Sequence, residues 1–273
     1  MQRTEGSVCP VSRGQNLGGN GTLVMGILNV TPDSFSDGGK WLEPKRAIDH
    51  ALAMYDQGAT IVDVGGESTR PGAARVTPDQ EWERVREVVA ALTRRELLVS
   101  IDTVNSQVAR RAVEEGVALI NDVSGGCYDP AIAHVCAAGD VAMVVQHWRG
   151  FPADPNLNEE YGDPVEEVVA ETMSQVRALS RVGVAAHSLV VDPGLGFAKG
   201  AEDSWTLLEN LGAFTATGFP VLVGASRKRF VVARYGTDER GTLETTKKAV
   251  QAGVWGIRVH DVEANVRLIE ELS

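Results

Sequence analysis

A parallel (β/α)8 barrel is the fold class this sequence predicts. Eight short apolar runs each end in a polar residue, helical patterns fill most of the gaps between them, and 273 residues suit one such barrel as a single domain. The runs are Leu23–Leu28, Ile61–Val64, Leu97–Ile101, Ala118–Ile120, Val141–Val145, Leu189–Val191, Val221–Val223 and Trp255–Val259. They are mostly β-branched and bounded by Gly, Pro, Ser or Asp, the pattern of parallel strands buried on both faces. Between them, helices are expected at Pro44–Gln57 closed by Gly58, Pro78–Arg94, Asn105–Glu115 closed by Gly116, Pro164–Val182 closed by Gly183 and Glu202–Leu211 closed by Gly212. Proline near a helix start and glycine just past its end is the expected asymmetry. Repetition of βα units also suits a doubly wound open sheet, but an open sheet concentrates its polar site at one switch point. Here the strand ends read Asn29, Asp63, Asp102, Asn121, His147, Asp192, Ser226 with Arg227, and Arg258 with His260. A closed barrel carries all of these to one mouth.

Residues 1–20 are polar and glycine-rich and are expected to form a poorly ordered tail, with residues 21–273 forming the barrel domain. No 18-residue apolar stretch and no leader pattern occur, which points to the cytoplasm rather than a membrane. A formal charge of −11 argues against nucleic acid as a partner, although a locally basic mouth can still hold a small anion. Cys9, Cys127 and Cys136 lack any metal-ligand spacing and read as structural filler. Phe151–Asp163 reads as a long loop on the side of the mouth.

The loop Asn29–Gly39 is long and polar around one aromatic, Phe35, and suits a lid. The next, Gly65–Gly72, sets small hydroxyls and glycine amides beside Arg70, a combination that favours phosphate. Asp102, Asn121 and Asp192 stand at the ends of apolar strands, where an unpaired polar group is costly, so they need donors. Turn amides at Thr103 and Gly194 are one source. A planar heterocycle offering a ring N–H beside an exocyclic amine is the other, since two parallel donors match a carboxylate. Arg227, Lys228 and Arg229 lie at a strand-to-helix junction that favours anions, and Arg258 and His260, two apart, face the same way. Asn29, Arg70, Arg258 and His260 together suit a diphosphate, and the Asn29 oxygen suits Mg²⁺.

Seven segments then resemble the dihydropteroate synthase family of pterin-binding enzymes: Gly26–Gly39, Asp63–Gly72, Ser100–Thr103, Ile120–Gly125, Asp192–Phe197, Ser226–Lys228 and Arg258–Val262. The resemblance implies a (β/α)8 barrel that joins 6-hydroxymethyl-7,8-dihydropterin diphosphate to 4-aminobenzoate, releases diphosphate, and is a sulfonamide target. It implies a pterin pocket at Asp102, Asn121, Asp192 and Lys228, and a diphosphate and Mg²⁺ site at Asn29, Arg70, Arg258 and His260. It also implies an aminobenzoate site shaped by Phe35, Thr69, Pro71 and the backbone around Arg229, with Asp37 closing the lid. A homodimer is expected. Three departures from the family pattern stand out: Gln146 replaces a methionine of the pterin-pocket wall, Trp148-Arg149 is an actinobacterial-type pair, and the helix at Gly241–Ala252 is shorter and more charged than the family's Ala-rich interface helix. A corrinoid-linked pterin methyltransferase and a catalytically silent pterin-binding paralogue share the barrel and are the competing functions.

Overall fold

In a computed structural model, the structure describes residues 11–12, 15–17, 21–31, 43–67, 75–151, 154, 157–237 and 239–273. A short antiparallel ribbon, β1 (Val11–Ser12) and β2 (Gln15–Asn16), precedes the barrel. The barrel strands are β3 (Leu23–Asn29), β4 (Ile61–Gly65), β5 (Val99–Asp102), β6 (Leu119–Asp122), β7 (Ala142–Gln146), β8 (Leu189–Asp192), β9 (Leu222–Val223) and β10 (Gly256–Val259). All are parallel to their neighbours, in the order β8-β7-β6-β5-β4-β3-β10-β9. The cylinder closes between β8 and β9 through the bridge from Val191 to Val221, with the Val191 N–H donating to Pro220 O at 2.8 Å.

The helices are α1 (Glu43–Asp56), α2 (Pro78–Thr93), α3 (Ser106–Glu115), α4 (Ala131–Gly139), α5 (Pro164–Arg181), α6 (Ala201–Glu209), α7 (Gly212–Thr215), α8 (Arg229–Tyr235), α9 (Arg240–Gln251) and α10 (Val262–Leu272). Their termini follow local chemistry. Thr77 and Gln80 form a reciprocal capping box before α2, and the Asp163 carboxylate accepts the first amides of α5, next to Pro164. Gly116 ends α3 in the left-handed region at φ 103°, which a side chain would oppose. The expected helices fall within two residues of those observed, but Gly212 does not close α6; it opens α7. The sequence pattern passed over α4 because Ala-Ile-Ala-His-Val-Cys-Ala-Ala-Gly has no charged stripe to set a helical period.

Strand alternation sorts the apolar residues into two cores. Outward-facing Val24, Val62, Val64, Ile101, Ile120, Val145 and Val191 pack under the helices. Inward-facing Leu23, Met25, Ile61, Leu119, Ala142, Val144, Val190 and Leu222 fill the lower half of the cylinder, joined by Leu17 and Trp255. Of the stretch 1–20, expected to be poorly ordered, residues 11–12 and 15–17 are described and the rest lie outside the described residues. The ribbon pairs with itself, and Leu17 is buried beneath the strands, its carbonyl accepting the Trp255 indole N–H at 3.3 Å. No helix among the described residues is long and apolar enough to cross a membrane.

Candidate active site

One step further along the same strands, the inward-facing positions turn polar. Register alone places Asp63 beside Ser100, Asp102 beside Asn121, and Gln146 beside Asp192. Arg258, inward from β10, donates from Nε to Asp63 Oδ2 at 2.6 Å and from Nη2 to Asp102 Oδ2 at 2.7 Å. Asn121 Nδ2 donates to the same Asp63 oxygen at 2.8 Å. Asp63 is therefore the hub that ties Asn121 to Arg258. It lies within its apolar run, in the middle of β4, and sequence reasoning gave it no role because its partners lie 58 and 195 positions away.

Glycines keep this ring open. A Cβ at Gly65 would lie 3.7 Å from both Asn29 Oδ1 and Asp102 Oδ2, so these two groups flank Gly65. At Gly224 it would lie 3.8 Å from Arg258 Cβ and 4.0 Å from Asp192 Oδ2. Asn29, Asp102, Asn121, Asp192 and Arg258 thus surround one space at the carboxyl ends of the strands, where barrel active sites lie.

Asp192 accepts the Gly194 N–H at 2.7 Å. That is the turn-amide donor expected for it, whereas Asp102 finds its donor in Arg258 and not at Thr103, whose N–H goes to Asn121 O. Lys228 donates to Leu195 O, lies 4.6 Å from the centroid of Phe197, and lends its charge to Asp192. Burial raises the Asp192 carboxyl, opposed by Lys228 and the Gly194 amide, and lowers Lys228 to about 8. Burial also raises Asp102, against the pull of Arg258. Beyond these bonds, Asp102 Oδ1, Asn121 Oδ1 and Asp192 Oδ2 have no partner among the described residues. Three acceptors around a walled space favour a flat ligand rich in N–H groups.

After β9 and β10, Ser226 Oγ is 2.9 Å from His260 Nδ1 and accepts the His260 N–H at 3.3 Å, which orients the imidazole on the strand that carries Arg258. Arg229 is exposed at the first turn of α8. Gln146 is buried and donates to Val123 O at 3.1 Å, and its Oε1 has no partner among the described residues. Behind it, Lys199, His147, Glu171 and Arg149 form a continuous network that the sequence did not disclose, because Glu171 sits mid-helix in α5 with no motif around it. Phe35, Asp37, Thr69, Arg70 and Pro71 lie outside the described residues. No cluster of three His, Cys, Asp or Glu suited to a metal occurs among the described residues.

The model of the pterin binding enzyme family matches residues 25–260. A dihydropteroate synthase of Mycobacterium leprae is 48% identical over 89% of this chain and 89% of its own length. Among solved structures, Xanthomonas albilineans dihydropteroate synthase with 4-aminobenzoic acid superposes with a TM-score of 0.86 at 36% identity, covering 94% of this chain and 93% of that one. Yersinia pestis dihydropteroate synthase in a sulfonamide complex gives 0.87 at 34% identity, covering 96% of each.

Proposed function

The chain belongs to the family of pterin-binding enzymes as a dihydropteroate synthase, and from that premise we propose how the mouth of its barrel divides the work. The reaction condenses 6-hydroxymethyl-7,8-dihydropterin diphosphate with 4-aminobenzoate to give 7,8-dihydropteroate and diphosphate, in folate biosynthesis. The observation that carries the assignment of roles is the convergence, at the carboxyl ends of the strands, of the unpartnered oxygens of Asp102, Asn121 and Asp192 with the cations Lys228 and Arg258.

Asp192 accepts the pyrimidine amine and ring N–H, two parallel donors on one carboxylate, while Asn121 and Asp102 accept the remaining ring donors. Lys228, held at Leu195 O, turns its other N–H bonds toward the ring's acceptor edge. Arg258 and His260 face the diphosphate, with Arg70 joining them by its sequence position. An aryl amine is a neutral nucleophile near pH 7, so no strong base is needed, and the difficult event is departure of diphosphate. As the C–O bond breaks, the electron-rich pterin spreads positive charge from its methylene, beside the Asp102 carboxylate. The amine nitrogen then forms the new C–N bond and loses its proton. Phe35, Thr69, Pro71 and the backbone at Arg229 would take 4-aminobenzoate and sulfonamides, and Asp37 would screen the reacting carbon from water.

Asn29 would offer its amide oxygen to Mg²⁺. A single neutral oxygen at the open end of β3, completed by substrate phosphate oxygens and water, fits an ion that keeps much of its hydration. Bound there, the ion would neutralise charge on the leaving diphosphate. A homodimer and a cytoplasmic location are also proposed, on family membership; light scattering that gives the mass of one chain would remove the first.

The decisive assay follows diphosphate release from the pterin diphosphate with Mg²⁺, with and without 4-aminobenzoate, alongside dihydropteroate. Coupled appearance of both products is expected. Pterin binding without any release would instead mark a silent paralogue.

A further inference from the structure

Behind the pterin side of the mouth lies a buried lysine to which the reaction assigns no task. Lys199 follows the Asp192–Phe197 turn and is 7% exposed. Its ammonium has three N–H bonds and three acceptors around it: His147 Nδ1 at 2.8 Å, Phe197 O at 3.0 Å and Gly194 O at 3.2 Å. Accepting at Nδ1 fixes the His147 tautomer, so Nε2 carries the hydrogen and donates to Glu171 Oε2 at 2.9 Å. Glu171 is in turn gripped by Arg149, whose Nη2 lies 2.6 Å from Oε1 and whose Nε lies 2.9 Å from Oε2. Arg149 stacks on Tyr161 at 3.8 Å, and Tyr161 OH donates to Ala198 O at 2.8 Å, returning the network to the same turn.

We propose that Lys199, acting with His147 and Glu171, is a positioning residue for the pterin: it clamps the carbonyls of Gly194 and Phe197, so that the Gly194 amide and the Phe197 ring hold Asp192 and Lys228 at the spacing the heterocycle needs. The two clamped residues are the ones that touch the site, since Gly194 N–H meets Asp192 and Phe197 lies against Lys228. The turn has little room to settle elsewhere, as a Cβ on Gly194 would come within 2.7 Å of His147 O. Among the charged groups facing Lys199, Lys228 and Arg149 favour its neutral form and Asp192 and Glu171 its ammonium form. Together with burial, the largest influence, they bring it to about 7. His147 stays neutral, lowered to about 3 by burial and by Lys199. Loss of one proton from Lys199 leaves two N–H bonds for three acceptors and loosens the turn.

This inference rests on the Asp192–Lys228 pocket being the pterin site. The test compares the full-length chain with Lys199→Met and, as a variant less exposed to misfolding, Glu171→Gln, whose altered group stands on the half-exposed surface of α5. Binding of 6-hydroxymethylpterin is measured by calorimetry, KM for each substrate by turnover, and the His147 tautomer by ¹⁵N NMR. Removing a charge-assisted hydrogen bond from the clamp should weaken pterin binding about tenfold in Lys199→Met and severalfold in Glu171→Gln. KM for 4-aminobenzoate should stay within about twofold, since the clamp does not reach that substrate. The parent chain should show Nδ1 unprotonated. Unchanged pterin affinity in the folded variants, or equal loss for both substrates, overturns the inference. A parent chain that binds no pterin overturns the pocket assignment itself.

Discussion

The lower and upper halves of the barrel interior are built on the same strands with the same alternation, yet they are held together by opposite means. Below, Leu23, Met25, Ile61, Leu119, Val144 and Val190 close the cylinder with side chains that need no partners. Above, Asp63, Asp102, Asn121, Asp192 and Arg258 are held by hydrogen bonds to one another or to a turn amide, with one oxygen each of Asp63, Asp102, Asn121 and Asp192 left without a partner among the described residues. A buried apolar layer is robust to small changes in geometry; a buried polar one fails when a single member is lost, because the remaining groups are orphaned. The barrel interior thus gathers its apolar side chains at one end and its polar ones at the other.

Removing the guanidinium should break the upper half most completely. Arg258→Met would leave Asp63 and Asp102 without their cation, and turnover should fall by about a hundredfold or more, with a stability loss of about 3–5 kcal/mol. Steady-state diphosphate release and urea unfolding check this, and ordinary turnover would contradict the division of labour. In the lower half, Leu119→Ala should cost about 2–5 kcal/mol of stability while turnover per folded molecule stays within about twofold. A large loss of activity there would show that the halves are not separable. At the boundary, Gln146→Met exchanges the amide for a thioether and leaves Val123 O without its donor. The expected result is a pterin KM lower by a few-fold and a stability loss of about 1 kcal/mol, because the new wall packs against a flat ring but the carbonyl goes unpaired.

Acidity sharpens the comparison further. Lys199 and Lys228 are lowered from 10.5 to about 7 and about 8 by burial, so between those values and 10.5 the unfolded chain binds more protons than the folded one. Folding stability should therefore rise as pH increases through that window, while pterin affinity falls as the two ammonium groups are lost. Parallel urea titrations and binding isotherms read the two slopes; slopes of the same sign would refute the placement of these lysines. The smallest effect belongs to Glu171, drawn down from 4.5 to about 2 chiefly by its bonds to Arg149. Its contribution is complete above about 4.5 and is lost as pH falls toward about 2, so Glu171→Gln should flatten acid unfolding there.

Much of this architecture is legible in the sequence because parallel strands buried on both faces leave continuous β-branched runs, and because each run stops at the residue that meets the mouth. Asn29, Asp102, Asn121, Asp192, Lys228, Arg258 and His260 were found in that way, and the motif resemblance grouped them. What stayed hidden was pairing. Asp63 carries no local sign that it will hold Arg258, and Glu171 lies in an ordinary amphipathic helix whose exposed face conceals its bond to His147. A strand end reveals that a side chain reaches the site, but long-range hydrogen bonding decides whether it faces ligand or protein. Leu17 was missed for a related reason: a lone leucine in a polar stretch has no period, and its burial depends on the open lower end of a cylinder formed by residues far along the chain.

Closure of the cylinder between β8 and β9 rests on a two-residue strand and one bridge, the thinnest of the seams, next to the two paired positions that join β9 to β10. Asp192 ends one lip of that seam, and Lys228 follows the other. The barrel is therefore a hoop with a clasp, and the clasp lies at the proposed pterin pocket. A heterocycle bridging Asp192 and Lys228, as proposed, would fasten the hoop from within, and substrate would complete the mechanical continuity that the polypeptide leaves thin.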